Sequence, residues 1–310
     1  MLTVPNRPSR PAGRAYRTSS AQRERRRKRR AHQRILTLCA AAAALIALVV
    51  ILVVTLKPAP EPEPVPEAEK EYFTYWNTTF EADPGYPAST LDTSGFLEVG
   101  DRIKYLSGTV RSHAGIDVSE HNGVIDWQAV AADGVEFAMI RIGYRGYTRG
   151  GVYKDSRFDE NFEGARNAGL KVGVYFFSQA MSAEEAREEA EFTLKALRGL
   201  KLDLPVAYDW ELIGQENARA DDIDRETLTA CTSEFCSIVS RSFDAMIYTN
   251  CYQCYYYLDI GSLSDYPIWF AGYADTPALY YKYDIWQYAS DGSVKGIKTP
   301  VDLNLCFFDL

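Results

Sequence analysis

Residues 35–56 form a run of 22 without a single charge, and that run constrains the chain more than any other feature. As a helix rising about 1.5 Å per residue it reaches about 33 Å, enough to cross a hydrocarbon core of roughly 30 Å. The flanks of the run differ sharply. Arg25-Arg26-Arg27-Lys28-Arg29-Arg30 comes before it, and Lys57 with Pro58-Ala59-Pro60-Glu61-Pro62-Glu63-Pro64 comes after it. Positive charge is retained on the cytoplasmic side, so the N-terminus is expected in the cytoplasm and everything after Leu56 outside, as a single-pass cell-membrane protein. A cleaved signal peptide needs a shorter basic region and a small-x-small site after the apolar run, and no convincing site is present. The expected organisation is a basic tail (1–34), a transmembrane helix (35–56) and a Pro/Glu spacer (57–71). A segment that is either a collar or a stalk (72–112) and an exported domain (113–310) follow.

Charge divides along the same line. Residues 1–34 carry twelve Lys and Arg against the single acid Glu24, whereas residues 57–310 carry 22 basic and 41 acidic residues. An acidic body is a poor match for a phosphate backbone, so no nucleic-acid partner is expected for it. Beside a spanning helix, the basic run is a topogenic and lipid-headgroup contact. Cysteines Cys231, Cys236, Cys251, Cys254 and Cys306 follow the span in odd number, with only His113 and His121 to accompany them there. Cys251-x-x-Cys254 has no second pair at metal spacing, so no metal or other cofactor is expected.

From residue 113 the sequence alternates apolar and amphipathic runs. Strands are predicted at 114–119, 136–142, 171–177, 204–211 and 244–249, and helices at 126–132, 158–168, 182–197 and 222–242. Ser182-Ala183-Glu184-Glu185 fits a capping box at the third helix. Repeated strand–helix–strand units imply parallel strands with helical crossovers. Three further strands at 267–273, 283–288 and 301–307 leave no room for long helices between them. The fold class is therefore α/β, a β/α barrel whose final strands are helix-poor.

Four carboxylates fall at predicted strand ends inside apolar or aromatic runs: Asp117, Asp209, Glu211 and Asp302. Burying isolated acids is costly, and chemistry in such barrels collects at the C-terminal ends of the strands. Asp209 and Glu211 are two residues apart and share a face. At about 6 Å and an effective dielectric near 20, two like charges repel by about 3 kcal/mol, or about two pKa units. One carboxyl can then stay protonated near neutral pH, and a protonated carboxyl beside an ionised one is what glycosidic cleavage requires. Helix capping, pairing with Arg141 or Lys171, or a magnesium or calcium site are the competing uses of such acids. Aromatic and amide residues near strand ends, Tyr144, Tyr175, Tyr273, Trp286 and Gln287, are candidates for contacting a sugar. His121 is expected to organise the first loop.

The run Gly115-Ile116-Asp117-Val118-Ser119-Glu120-His121-Asn122-Gly123, with Ile125-Asp126-Trp127, resembles the opening of glycoside hydrolase family 25, the lysozyme-like N-acetylmuramidases. Asp209-Trp210-Glu211, Ile285-Trp286-Gln287-Tyr288 and Val301-Asp302-Leu303-Asn304 resemble that family's later landmarks in the same order. The resemblance implies cleavage of the β-1,4 bond between N-acetylmuramic acid and N-acetylglucosamine in peptidoglycan. It implies Glu211 as general acid and Asp209 as support for the substrate acetamido group, with Asp117 and Asp302 flanking the cleft. It also implies a substrate-assisted route without an enzyme nucleophile. The sequence stops at Leu310 with no wall-binding repeat, so a tethered enzyme is expected to act on nearby wall. The rivals are a catalytically silent glycan-binding barrel and, with too few histidines, a zinc amidase or deacetylase.

Overall fold

The computed structural model describes residues 20–56 and 70–310, in two compact units. The first unit contributes one helix, α1 (Ser20–Thr55), long and apolar enough to cross a membrane, with no buried residue along it. It starts well before the uncharged run because the basic stretch 23–34 consists of good helix formers and continues the same helix. The expected spacer falls largely outside the described residues.

The second unit begins with five short strands: β1 (Tyr72–Tyr75), β2 (Thr78–Glu81), β3 (Phe96–Val99), β4 (Arg102–Ser107) and β5 (Val110–Arg111). They form a hairpin and a three-stranded sheet, and aromatic side chains hold them to the rest of the unit. Phe73 stacks on Tyr280 at 4.4 Å, and Phe96 meets Trp286 edge-on at 5.1 Å. The segment 72–112 is a collar in this sense: Phe73, Phe80, Tyr86, Phe96 and Tyr105 pack against partners far along the chain, while Tyr72, Trp76, Leu97, Val99 and Leu106 stay exposed.

The next strands are β6 (His113–Val118), β7 (Phe137–Arg145), β8 (Val152–Lys154), β9 (Lys171–Ser178) and β10 (Val206–Trp210). They are followed by β11 (Ala245–Asn250), β12 (Ile268–Ala271), β13 (Ile285–Gly292) and β14 (Val301–Cys306). Between them lie α2 (Trp127–Ala132), α3 (Phe158–Asn167), α4 (Ala183–Ala196), α5 (Arg225–Val239) and α6 (Cys251–Tyr257). All eight predicted strands and all four predicted helices are present. β6 pairs with both β7 and β14, which closes an eight-stranded barrel, and β8 folds back on β7 as a side ribbon. Apart from β8, which is antiparallel to β7, neighbouring strands run parallel from β6 through β13; β14 is antiparallel to both of its neighbours. A parallel strand needs a crossover of a dozen or more residues, and the short link from β13 to β14 permits only the antiparallel direction.

Alternation along the strands creates two cores. The barrel interior holds Phe137, Met139, Met246, Trp269 and Ile285, while the outer layer packs Ile116, Val174, Tyr208, Phe270 and Trp286 against helices and collar. Gly115 makes room for the inner core, since a Cβ there would meet the Phe137 ring at 2.2 Å. Ser182 caps α4 by accepting from the Glu185 N–H. Glu185 departs from the expected box: its carboxylate accepts from the Met181 N–H at 2.8 Å and from Arg219. Bidentate pairing with a guanidinium is stronger than a single bond to the cap, and it ties α4 to the loop after β10.

Candidate active site

The four strand-end acids converge. Asp117, Asp209, Glu211 and Asp302 line one cavity of about 350 Å³ at the mouth of the barrel, with Tyr175, Tyr248, Trp269, Tyr273 and Gln287. Register brings this about. Asp302 lies opposite Asp117 in the β14–β6 pair, and Asp209 lies between Phe177 of β9 and Tyr248 of β11. Tyr208 and Trp210 belong to the outer core, so Asp209 and Glu211 take the inward positions on either side of Trp210.

Asp117 is the anchored member. Its Oδ2 accepts from Gln287 Nε2 and from Asn304 Nδ2, both at 2.8 Å. Gln287 Oε1 in turn accepts from the hydroxyls of Tyr248 at 3.0 Å and Tyr273 at 2.9 Å. Asn304 Oδ1 accepts from the Trp269 indole at 2.8 Å. Each amide is thereby fixed in one orientation, because its oxygen takes a donor and its nitrogen gives to the carboxylate.

Burial raises all four carboxyls above their ordinary range. Asp117 is pushed up to about 6, moderated by its two amide donors. Glu211 is pushed up to about 7, first by burial and then by the charge of Asp117. Asp302 rises to about 8 by burial, then by Asp117. Asp209 also rises, by burial and then by repulsion from Glu211, and its Oδ1 is buried with no hydrogen-bond partner among the described residues. The pairing with Arg141 and Lys171 that would make these acids structural does not occur. Arg141 donates to Asp155 at 2.8 Å and to Glu120 at 3.3 Å, and Lys171 lies 3.7 Å from Asp203. Burial and mutual repulsion thus favour the protonated forms within this cluster, which suits one of its carboxyls to giving up a proton.

Residues 116–297 match the family model described as Glycosyl hydrolases family 25. The chain belongs to that family. It is 32% identical over 194 residues to the autolytic lysozyme of Clostridium acetobutylicum, covering 61% of this chain and 54% of that protein. This chain thus spans only about half the length of that relative. The crystal structure of the bacterial lysozyme from Streptomyces coelicolor is similar, with a TM-score of 0.52 at 26% identity over 62% of this chain and 90% of that one. The modular autolysin LytC from Streptococcus pneumoniae, solved in complex with a synthetic peptidoglycan ligand, shares the fold, with a TM-score of 0.60 at 22% identity over 69% of this chain and 52% of that one.

Within this family 25 barrel, the expected sugar-contact residues separate. Tyr175 and Gln287 line the cavity with little exposure, and Tyr273 stands at its edge, 59% exposed, with its hydroxyl on Gln287. Tyr144 lines a larger adjoining cavity of about 790 Å³ that shares Glu211, Phe177, His121 and Arg141 with the first. Trp286 is a correction. It is fully buried on the opposite face of β13, donates its indole N–H to the Gly272 carbonyl at 2.8 Å, and packs on Phe96 and Tyr288. It cannot touch a ligand in the cavity. His121 sits in the loop capped by Ser119 and Asn122, and its side chain lines both cavities. Sequence reasoning did not single out Asn304, which holds Asp117, Tyr248, which holds Gln287, or Trp269, which holds Asn304. The signal for Asn304 was available: an amide two residues after Asp302 in a strand shares its face.

Proposed function

We propose that this chain is a membrane-anchored N-acetylmuramidase that cleaves the β-1,4 bond between N-acetylmuramic acid and N-acetylglucosamine in peptidoglycan. One observation carries the reading: Glu211 lines one cavity with Asp117, Asp209 and Asp302 at the strand ends, where burial and the charge of Asp117 favour the protonated form of its carboxyl. The family membership and the lysozyme relative support it, and so does the apolar helix for the anchor.

In this mechanism Glu211 gives its proton to the glycosidic oxygen as the bond from that oxygen to the anomeric carbon breaks. The substrate's acetamide oxygen attacks the anomeric carbon and forms a cyclic oxazolinium ion. Asp209 Oδ1, buried and lacking a donor, accepts the acetamide N–H and steadies the positive charge. Water then opens the ring, giving its proton to the Glu211 carboxylate and regenerating the acid. Asp117 stays ionised and fixed, and Tyr175 and Tyr273 bound the sugar. The helix α1 tethers this chemistry outside the membrane, with the basic segment on the cytoplasmic side.

Full-length protein in detergent micelles, incubated with peptidoglycan, tests the reading by mass spectrometry of the fragments. New reducing N-acetylmuramic acid ends are expected. Intact glycan strands across several wall sources and pH values refute the activity, and protease access to the barrel in sealed right-side-out vesicles tests the orientation.

A further inference from the structure

The catalytic cavity does not end at Tyr273. That exposed side chain also lines a second groove of about 520 Å³ that is walled by the β3–β4 hairpin through Glu98 of β3, Asp101 of the turn and Ile103 of β4. The turn precedes the segment that matches the family, residues 116–297, so this wall is built by the collar. It is well anchored there. Arg102 pairs with Asp133 and donates to its backbone carbonyl, Phe96 packs on Trp286, and Tyr105 meets Phe307 edge-on at 5.5 Å. The Tyr288 hydroxyl meets the backbone of Ile103. A rigid groove that shares an aromatic side chain with the cleavage cavity is positioned for the same strand of sugar.

We infer that the β3–β4 turn and Tyr273 form an additional subsite, supplied by the collar, for a hexosamine unit of the glycan being cleaved. This rests on the muramidase reading. The groove volume exceeds that of one sugar ring, and Tyr273 offers an exposed ring to the apolar face of a pyranose. Charge selects the unit. Glu98, Asp101, Asp275 and Asp291 line the groove, and its cation Arg102 is already paired with Asp133. An N-acetylmuramic acid unit, with its lactyl carboxylate, is repelled there, whereas N-acetylglucosamine carries no charge and brings hydroxyl donors to those carboxylates. The alternating polymer is therefore placed in one register.

The test is titration calorimetry of full-length protein in detergent micelles with β-1,4-linked N-acetylglucosamine oligomers from two to six units. The expected result is a stepwise gain in affinity, about tenfold, at the length that reaches both cavities. Asp101→Trp, which fills the groove, removes the step and leaves binding of the disaccharide unchanged; Asp291→Trp on the opposite wall gives the same result without altering the turn. Affinity that rises smoothly with length, or a step that survives in both variants, overturns the subsite. Reducing-end release from peptidoglycan by the same preparation reports separately on the muramidase reading, since oligomer binding does not depend on turnover.

Discussion

Asp302 lies directly opposite Asp117 in the β14–β6 pair, yet the two carboxyls are held in different ways. Both are met by their own backbone N–H, but Asp117 also accepts two side-chain amide donors, and Asp302 stays protonated to higher pH, about 8 against about 6. Asp117 is thus the first of the two to ionise, and its charge raises Glu211, Asp209 and Asp302 in turn. Substituting Asp117→Asn removes that charge, so the alkaline limb of the pH–rate profile moves to lower pH while turnover falls. A limb that stays in place contradicts the coupling.

Glu211→Gln keeps the shape of the side chain and removes the proton. General acid catalysis contributes about 10² to 10⁴-fold, so release of reducing ends drops by at least about a hundredfold while glycan binding persists. Turnover within a few-fold of the parent protein would remove Glu211 from the role of acid.

Asp209→Asn replaces an acceptor that has no donor with an amide that offers one. The amide oxygen still accepts the acetamide N–H, but the negative charge that supports the developing positive charge is gone, which costs roughly 10²-fold or more in turnover. A rate within a few-fold of the parent would exclude the supporting role.

Stability should depend on pH in a definite direction. Asp117, Glu211 and Asp302 bind protons more tightly folded than unfolded, where acids titrate near about 4. Their stabilising effect is fully present below that value and is lost as pH rises toward about 8, because there the folded state holds more protons than the unfolded one. The melting temperature of the barrel falls over this window, and the Glu211→Gln, Asp302→Asn double variant flattens the fall. Melting curves recorded across the window in both proteins decide the matter.

Trp286 and Tyr273 make opposite predictions. Trp286→Ala empties a fully buried site between barrel and collar, costs about 3–5 kcal/mol of stability and lowers the melting temperature. Tyr273→Ala leaves stability nearly unchanged and weakens glycan binding several-fold, as read by titration.

The barrel and its acids were legible in the sequence because each signal is local. A lone Asp in Gly115-Ile116-Asp117-Val118 or Asp209 beside Tyr208 and Trp210 stands out against its neighbours whatever the rest of the chain does. Trp286 was misplaced although the same rule applies: in a strand, Trp286 and Gln287 face opposite sides, so only one can reach the cavity. The collar was not legible. Phe73, Phe96 and Tyr105 find their partners in Tyr280, Trp286 and Phe307, roughly two hundred residues further on, and no periodicity within 72–112 reveals such contacts. The support of Asp117 was hidden for a similar reason, since Gln287 and Asn304 come from two later strands.

The barrel closes by joining β6 to β14. Asp117 therefore meets Asn304 only after nearly the whole domain has been synthesised. A chain emerging N-terminus first carries a disassembled site for most of its synthesis, and long-range pairing of this kind is slow to form. The last strand thus completes the site: Asn304, the second amide donor to Asp117, and the Asp302 carboxyl both come from β14, so the cavity is whole only once that strand is in place.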